Sequence, residues 1–131
     1  MKDGFVKVAA VVPELRVADC SFNAQKTVEA AHEAAKRGAA VIVFPELGMT
    51  GYTCQDLFFH DTLLAAAERE VARVARETAE LDPLIFIGAP MRRLGKIYNV
   101  AAAIWHGKLL GLVPKSLIPN YCEFYEARQF T

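Results

Sequence analysis

The sequence predicts an α/β fold built on a largely parallel sheet, and three observations predict it. Short β-branched apolar runs alternate with two stretches whose apolar residues recur at helical spacing. The first three runs are apolar almost throughout, the pattern of strands that need cover on both faces. Of the 131 residues, 53% are hydrophobic, which suits one ordinary domain and excludes a disordered or linker segment.

The elements follow in order. "FVKVAAVVPEL" is a β-branched run stopped by Pro13 and reads as a buried strand. In "DCSFNAQKTVEAAHEAAKRGAA", Ala24, Val28, Ala31 and Ala35 fall on one helical face. Ser21 or Asn23 can cap its start, and Lys36, Arg37 and Gly38 close it with cations and a C′ glycine. "AVIVFPE" is the second strand, followed by a loop carrying Gly48, Gly51 and Tyr52. Leu64, Ala67, Val71, Val74 and Thr78 then predict an amphipathic helix over roughly Asp61 to Glu80. "PLIFIGAP" is the third strand. "RRLGK" turns the chain into "IYNVAAAIW", and "HGK" turns it into "LLGLVPK". The order β-α-β-α-β-β-β implies two crossovers in a parallel core, with the last strands added antiparallel or at the edge. Two helices cover one sheet face only, so the other is expected to pack on further chain or on a partner.

Composition narrows the function classes. Fifteen basic residues balance fifteen acidic ones, with no basic run, which argues against nucleic acid and anionic lipid as partners. "AAVIVF" and "PLIFIGAP" are too short to span a bilayer. Asp3 and Lys7 interrupt the first apolar segment, so no signal-peptide pattern is present. Cys20, Cys54 and Cys122 are odd in number, widely spaced and lack zinc-site spacing, which predicts a reducing, cytoplasmic setting.

Two charged residues stand at Pro-marked strand ends. Glu46 follows Pro45 directly after a buried strand, and ligand sites in open α/β sheets gather at the carboxyl ends of strands. A carboxylate held at the rim of an apolar core suits a general base; the alternative is a solvated acid at an ordinary strand end. Lys115 follows Pro114 after another strand and could stabilise a developing oxyanion. An ion pair that merely ties two loops together would place the same charges close together. The tail "PKSLIPNYCEFYEARQF" has the composition of a pocket lining, whereas a dispensable tail is usually polar and featureless.

These segments resemble the nitrilase superfamily. "GAAVIVFPELGMTGY" is similar to the segment that carries its catalytic glutamate, and "GLVPKSLIPNY" to the one that carries its catalytic lysine. "TGYTCQDLFF" with "PKSLIPNYCEFYEARQF" resembles the branch formed by the glutaminase domains of glutamine-dependent NAD⁺ synthetases, and the resemblance covers essentially all 131 residues. It implies a four-layer α-β-β-α sandwich, of which residues 1–131 form about the first, N-terminal half. It also implies a Glu–Lys–Cys triad with Glu46 as general base, Lys115 as oxyanion-stabilising cation and Glu126 bracing the lysine, with Glu123 the alternative. Tyr121, Tyr52 and Phe124 would line the glutamine pocket; the alternative for aromatics in a tail is core packing, which explains Phe124 equally well.

The family's cysteine lies one strand beyond the lysine, and the sequence stops at Thr131. None of the three cysteines fits that position, so this chain alone is expected to be inactive. The resemblance implies ATP and Mg²⁺ for a separate synthetase domain and no cofactor within this chain. As partners it implies glutamine, the remainder of the protein's own chain, and a homo-oligomer. Two other readings stay open at this point: a stand-alone nitrilase-type amidase acting on another small amide or nitrile, and a non-catalytic fragment.

Overall fold

The computed structural model describes residues 4–131, so Asp3, one of the two charges that break the first apolar segment, lies outside the described residues. The elements are β1 (Val8–Ala10), α1 (Cys20–Lys36), β2 (Val41–Val43), a 3₁₀ segment η1 (Tyr52–Phe59), α2 (Asp61–Glu77), β3 (Leu84–Arg93), β4 (Lys96–Trp105), β5 (Lys108–Pro114) and a short 3₁₀ turn η2 (Glu126–Arg128). The strands form one sheet in the order β1-β2-β3-β4-β5. The β1–β2 and β2–β3 pairs are parallel, and β3–β4 and β4–β5 are antiparallel. This is the expected element order and the expected mixture of parallel core and antiparallel additions.

Several boundaries differ from expectation, for local reasons. The cap of α1 is Asp19, whose side chain accepts from the Phe22 N–H. Asn23 lies inside the helix instead, where its amide bonds the backbone of Arg16 and the Met49 carbonyl. Cys20 opens α1 and does not belong to the preceding loop. The second helix ends at Glu77, and Thr78 serves as its C-cap, its hydroxyl donating back to the Val74 carbonyl. The loop after Gly51 coils into η1, which has no helical period to read because Gln55 (φ 53°, ψ −130°) breaks it. Both antiparallel hairpins turn through two residues of positive φ, Leu94-Gly95 and His106-Gly107, as a right-handed strand twist requires.

The core lies between the sheet and the two helices. Ala24, Val28 and Ala31 of α1 and Leu64, Ala67, Val71 and Val74 of α2 are buried against Ile42, Ile85, Ile87, Ala102 and Ile104 of the sheet. On the opposite sheet face, Val8 is 66%, Val43 45% and Val113 60% exposed. No helix among the described residues is long and apolar enough to cross a membrane.

Candidate functional site

Glu46 is placed by a turn that the core grips from below. After β2 the Phe44 N–H still bonds the Phe86 carbonyl of β3, and the Met49 N–H bonds the Gly88 carbonyl. Between these two anchors, Leu47 is held at φ 52° with its side chain fully buried, beside buried Met49 and Thr50. Gly88 makes this possible. A Cβ there would sit 2.8 Å from the Glu46 carbonyl carbon and closer still to the Pro45 oxygen and the Leu47 nitrogen. With no side chain in the way, the backbone of residues 45–47 lies directly on β3. The Glu46 side chain then reaches across β3 toward β4 and β5.

Lys115 arrives from the other side. Pro114 has no N–H to donate, so the final ladder bond of this edge runs from the Lys115 N–H to the Asn99 carbonyl at 2.8 Å. The Lys115 ammonium lies 2.7 Å from Glu46 Oε1, and 3.0 and 2.9 Å from Glu126 Oε1 and Oε2. Residues 69 positions apart in sequence therefore meet as an ion pair. Of the two tail glutamates, Glu126, at the start of η2, is the one that Lys115 meets; both line a cavity of about 50 Å³ beside Tyr52. Tyr52 donates its hydroxyl to Glu126 Oε1 at 2.7 Å. The tail is pinned by the Arg128–Asp56 ion pair, by the Phe130 ring against Phe58 with centroids 5.0 Å apart, and by the Thr131 N–H on the Ile97 carbonyl.

The charges are graded in burial: the Glu126 side chain is 6%, Lys115 27% and Glu46 41% exposed. Burial pulls the Lys115 ammonium toward neutrality, but its hydrogen bonds to Glu46 and Glu126 and their charges outweigh this and hold it above the ordinary lysine value. Partial burial, then the hydrogen bond to Glu126 and the charges of the nearby glutamates, raise the Tyr52 phenol, so it stays a donor.

Glu46 and Lys115 stand at the rim of an open depression of about 340 Å³ on the bare sheet face, floored by Val43, Phe86, Ala101 and Val113. Glu46 and Tyr52 also border a second depression of about 320 Å³, with Leu15 and Met49. Tyr121 and Phe124 meet each other edge to face at 5.6 Å and line neither depression. Of the residues singled out from the sequence, Glu46, Lys115, Glu126 and Tyr52 are thus brought together, and Tyr121 and Phe124 form a pair apart.

One further member had not been singled out. Asn99, in the middle of β4 and only 4% exposed, donates its side-chain amide to Glu46 Oε1. The available signal was a lone polar residue inside the apolar run "YNVAAAIW", since a buried amide must find partners.

Cys20 and Cys54 are buried and Cys122 is exposed. Burial, reinforced by nearby charges, pushes the Cys20 thiol up to about 11, and burial also raises Cys54, which donates to the Thr50 carbonyl. Among the described hydrogen bonds, no thiol meets Glu46 or Lys115.

A sheet flanked by helices, with a carboxylate and a lysine paired at its strand ends, fits one class of protein. The carbon-nitrogen hydrolase family matches residues 7–126, and the chain belongs to it. The particular relatives it matches are the glutamine-dependent NAD(+) synthetases. The one from Mycobacterium tuberculosis H37Rv is 43% identical over 126 residues, and that from Thermotoga maritima 33% identical over 130. The alignments take in 96% and 99% of this chain but 19% and 22% of those relatives, so the chain spans about a fifth of their length. A crystal structure of a glutamine-dependent NAD(+) synthetase from Cytophaga hutchinsonii superposes with a TM-score of 0.90 at 28% identity, covering 96% of this chain and 21% of that one. An amidase from Nesterenkonia sp. shares the fold, with a TM-score of 0.76 at 20% identity, over all of this chain and 49% of its own.

Proposed function

We propose that this chain forms one wall of a glutamine-hydrolysing site within a longer protein. There, ammonia released from glutamine feeds the ATP-dependent amidation of nicotinic acid adenine dinucleotide to NAD⁺. The observation that carries the reading is the Glu46–Lys115–Glu126 cluster, in which the charges just past the carboxyl ends of β2 and β5 meet the first residue of η2. The names of the relatives point to glutamine as the amide donor.

Amide hydrolysis needs a nucleophile stronger than water. In this reading a cysteine from chain outside these residues supplies it; the raised thiols of Cys20 and Cys54, and the lack of any described hydrogen bond from a thiol to Glu46 or Lys115, support that assignment. Glu46 takes the thiol proton, and the thiolate attacks the glutamine carboxamide carbon. Lys115, with a backbone N–H, holds the negative charge that builds on the carbonyl oxygen. All three Lys115 N–H donors already meet carboxylate oxygens, so serving the oxyanion means exchanging one contact. The paired contacts to Glu126 are the ones to spare. As the C–N bond breaks, Glu46 returns its proton to the leaving nitrogen, and ammonia departs. Water, deprotonated by Glu46, then resolves the γ-glutamyl thioester. Glu126 keeps Lys115 in place, Tyr52 braces Glu126, and Tyr121 and Phe124 close on the glutamine once the remaining chain is present.

ATP and Mg²⁺ belong to the synthetase unit in this reading. Among the described residues no group of three or more His, Cys, Asp or Glu side chains could hold a metal ion, and no step above runs through either.

The test is a comparison of two nitrogen sources in the full-length protein. Glu46→Gln and Lys115→Ala are each expected to lower glutamine-driven NAD⁺ formation by about 100-fold or more, with ammonia-driven formation kept. Equal loss with both sources would assign these residues to fold or synthetase and contradict the reading.

A further inference from the structure

We infer that Asn99 is a positioning residue of this site: one side chain and one carbonyl of a single β4 residue hold both Glu46 and the Lys115 backbone, leaving one defined Glu46 oxygen to carry the proton. The inference rests on the reading of Glu46 as the base.

Asn99 holds both partners at once. Its side-chain amide donates to Glu46 Oε1, and its backbone carbonyl accepts the Lys115 N–H at 2.8 Å. The two groups come from loops after β2 and β5, which no strand pairing joins directly. Asn99 lies on β4, beside β5 in the sheet and one strand short of the turn that Gly88 admits. It is therefore a rigid, buried point that fixes the distance between two loop residues.

The bonding at Glu46 gives this fixation a chemical consequence. The Asn99 amide and the Lys115 ammonium, at 2.7 Å, converge on the same oxygen, Oε1. Among the described hydrogen bonds Oε2 receives none. A carboxylate bound only by Lys115 could turn about its terminal torsion, which is broad and roughly two-fold, and offer either oxygen. The second donor, rooted in a different strand, removes that freedom. Oε2 is then the oxygen that takes the proton from the nucleophile and returns it to the leaving nitrogen. Asn99 supplies the restraint without adding charge, so the ion pair is undisturbed.

The experiment uses the full-length protein with Asn99→Leu, which keeps the branching and removes the donor, and Asn99→Asp, which keeps the shape and sets a carboxyl against Glu46. Glutamine-driven kcat is expected to fall about 10- to 100-fold in Asn99→Leu, at a glutamine KM changed by no more than about threefold. Asn99→Asp is expected to fall at least as far, because like charges now face each other. Ammonia-driven turnover should be kept in both. Parallel loss of glutamine- and ammonia-driven turnover would make Asn99 a fold residue and overturn the inference. Glutamine-driven kcat within about twofold of the parent protein, or loss confined to KM, would also overturn it. Glu46→Gln run alongside separates the two levels. If it abolishes glutamine-driven turnover while the Asn99 variants stay within about twofold of the parent protein, the inference fails and the proposed function stands; if it has no effect, the proposed function itself fails.

Discussion

Lys115 is the residue on which the site converges, and its charge sets how the site responds to pH. Its hydrogen bonds to two glutamates hold its proton more tightly in the folded protein than in the unfolded chain. A raised lysine contributes stability that is fully present below its ordinary value of 10.5 and is lost as pH rises through the higher folded-state value. Glutamine-driven turnover in the full-length protein is therefore expected to show no alkaline fall due to Lys115 up to about pH 10. The pH–rate profile of the protein and of Lys115→Arg, which stays charged throughout, makes the comparison. An alkaline fall centred well below pH 10 that Lys115→Arg removes would contradict the assignment.

At the scale of elements, the site depends on how closely the turn after β2 can lie on β3, and Gly88 decides that. Gly88→Ala forces a methyl group into the backbone of Pro45–Leu47, which cannot move aside as a flexible side chain would. We expect a loss of about 1–3 kcal/mol or more in unfolding free energy, and a larger fractional loss of glutamine-driven than of ammonia-driven turnover. Thermal melts with the two assays check both parts; an unchanged melt would mean that the turn does not lie against β3 as described. This dependence also separates what could be read in the sequence from what could not. Glu46 and Lys115 were legible because proline marks the strand ends that carry them, the five strands from short apolar runs bounded by turn residues, and the two helices from their apolar period. Gly88 in "LIFIGAP" and Asn99 in "YNVAAAIW" were not, because their roles depend on which loop crosses which strand. The segment η1 carried no periodic signal because Gln55 breaks its helical geometry, and Tyr52, which begins it, could be placed only as a loop residue.

The whole molecule has one covered sheet face and one bare one. Val8, Val43 and Val113 stand exposed on the face that ends at Glu46 and Lys115, with Phe86 half-buried among them. Leaving about 400 Å² of such surface wet forfeits about 10 kcal/mol, comparable to the stability of a whole domain. In the proposed reading, chain outside these residues covers that face and brings the nucleophile to the same rim, which completes the four-layer sandwich. The most direct measurement labels the full-length protein with a diazoketone analogue of glutamine, which alkylates an activated thiol in a glutamine site, and maps the adduct by peptide mass spectrometry. One labelled cysteine outside residues 1–131 is expected, with labelling slowed about 100-fold in Glu46→Gln. An adduct on Cys20, Cys54 or Cys122, or labelling indifferent to Glu46→Gln, would contradict it.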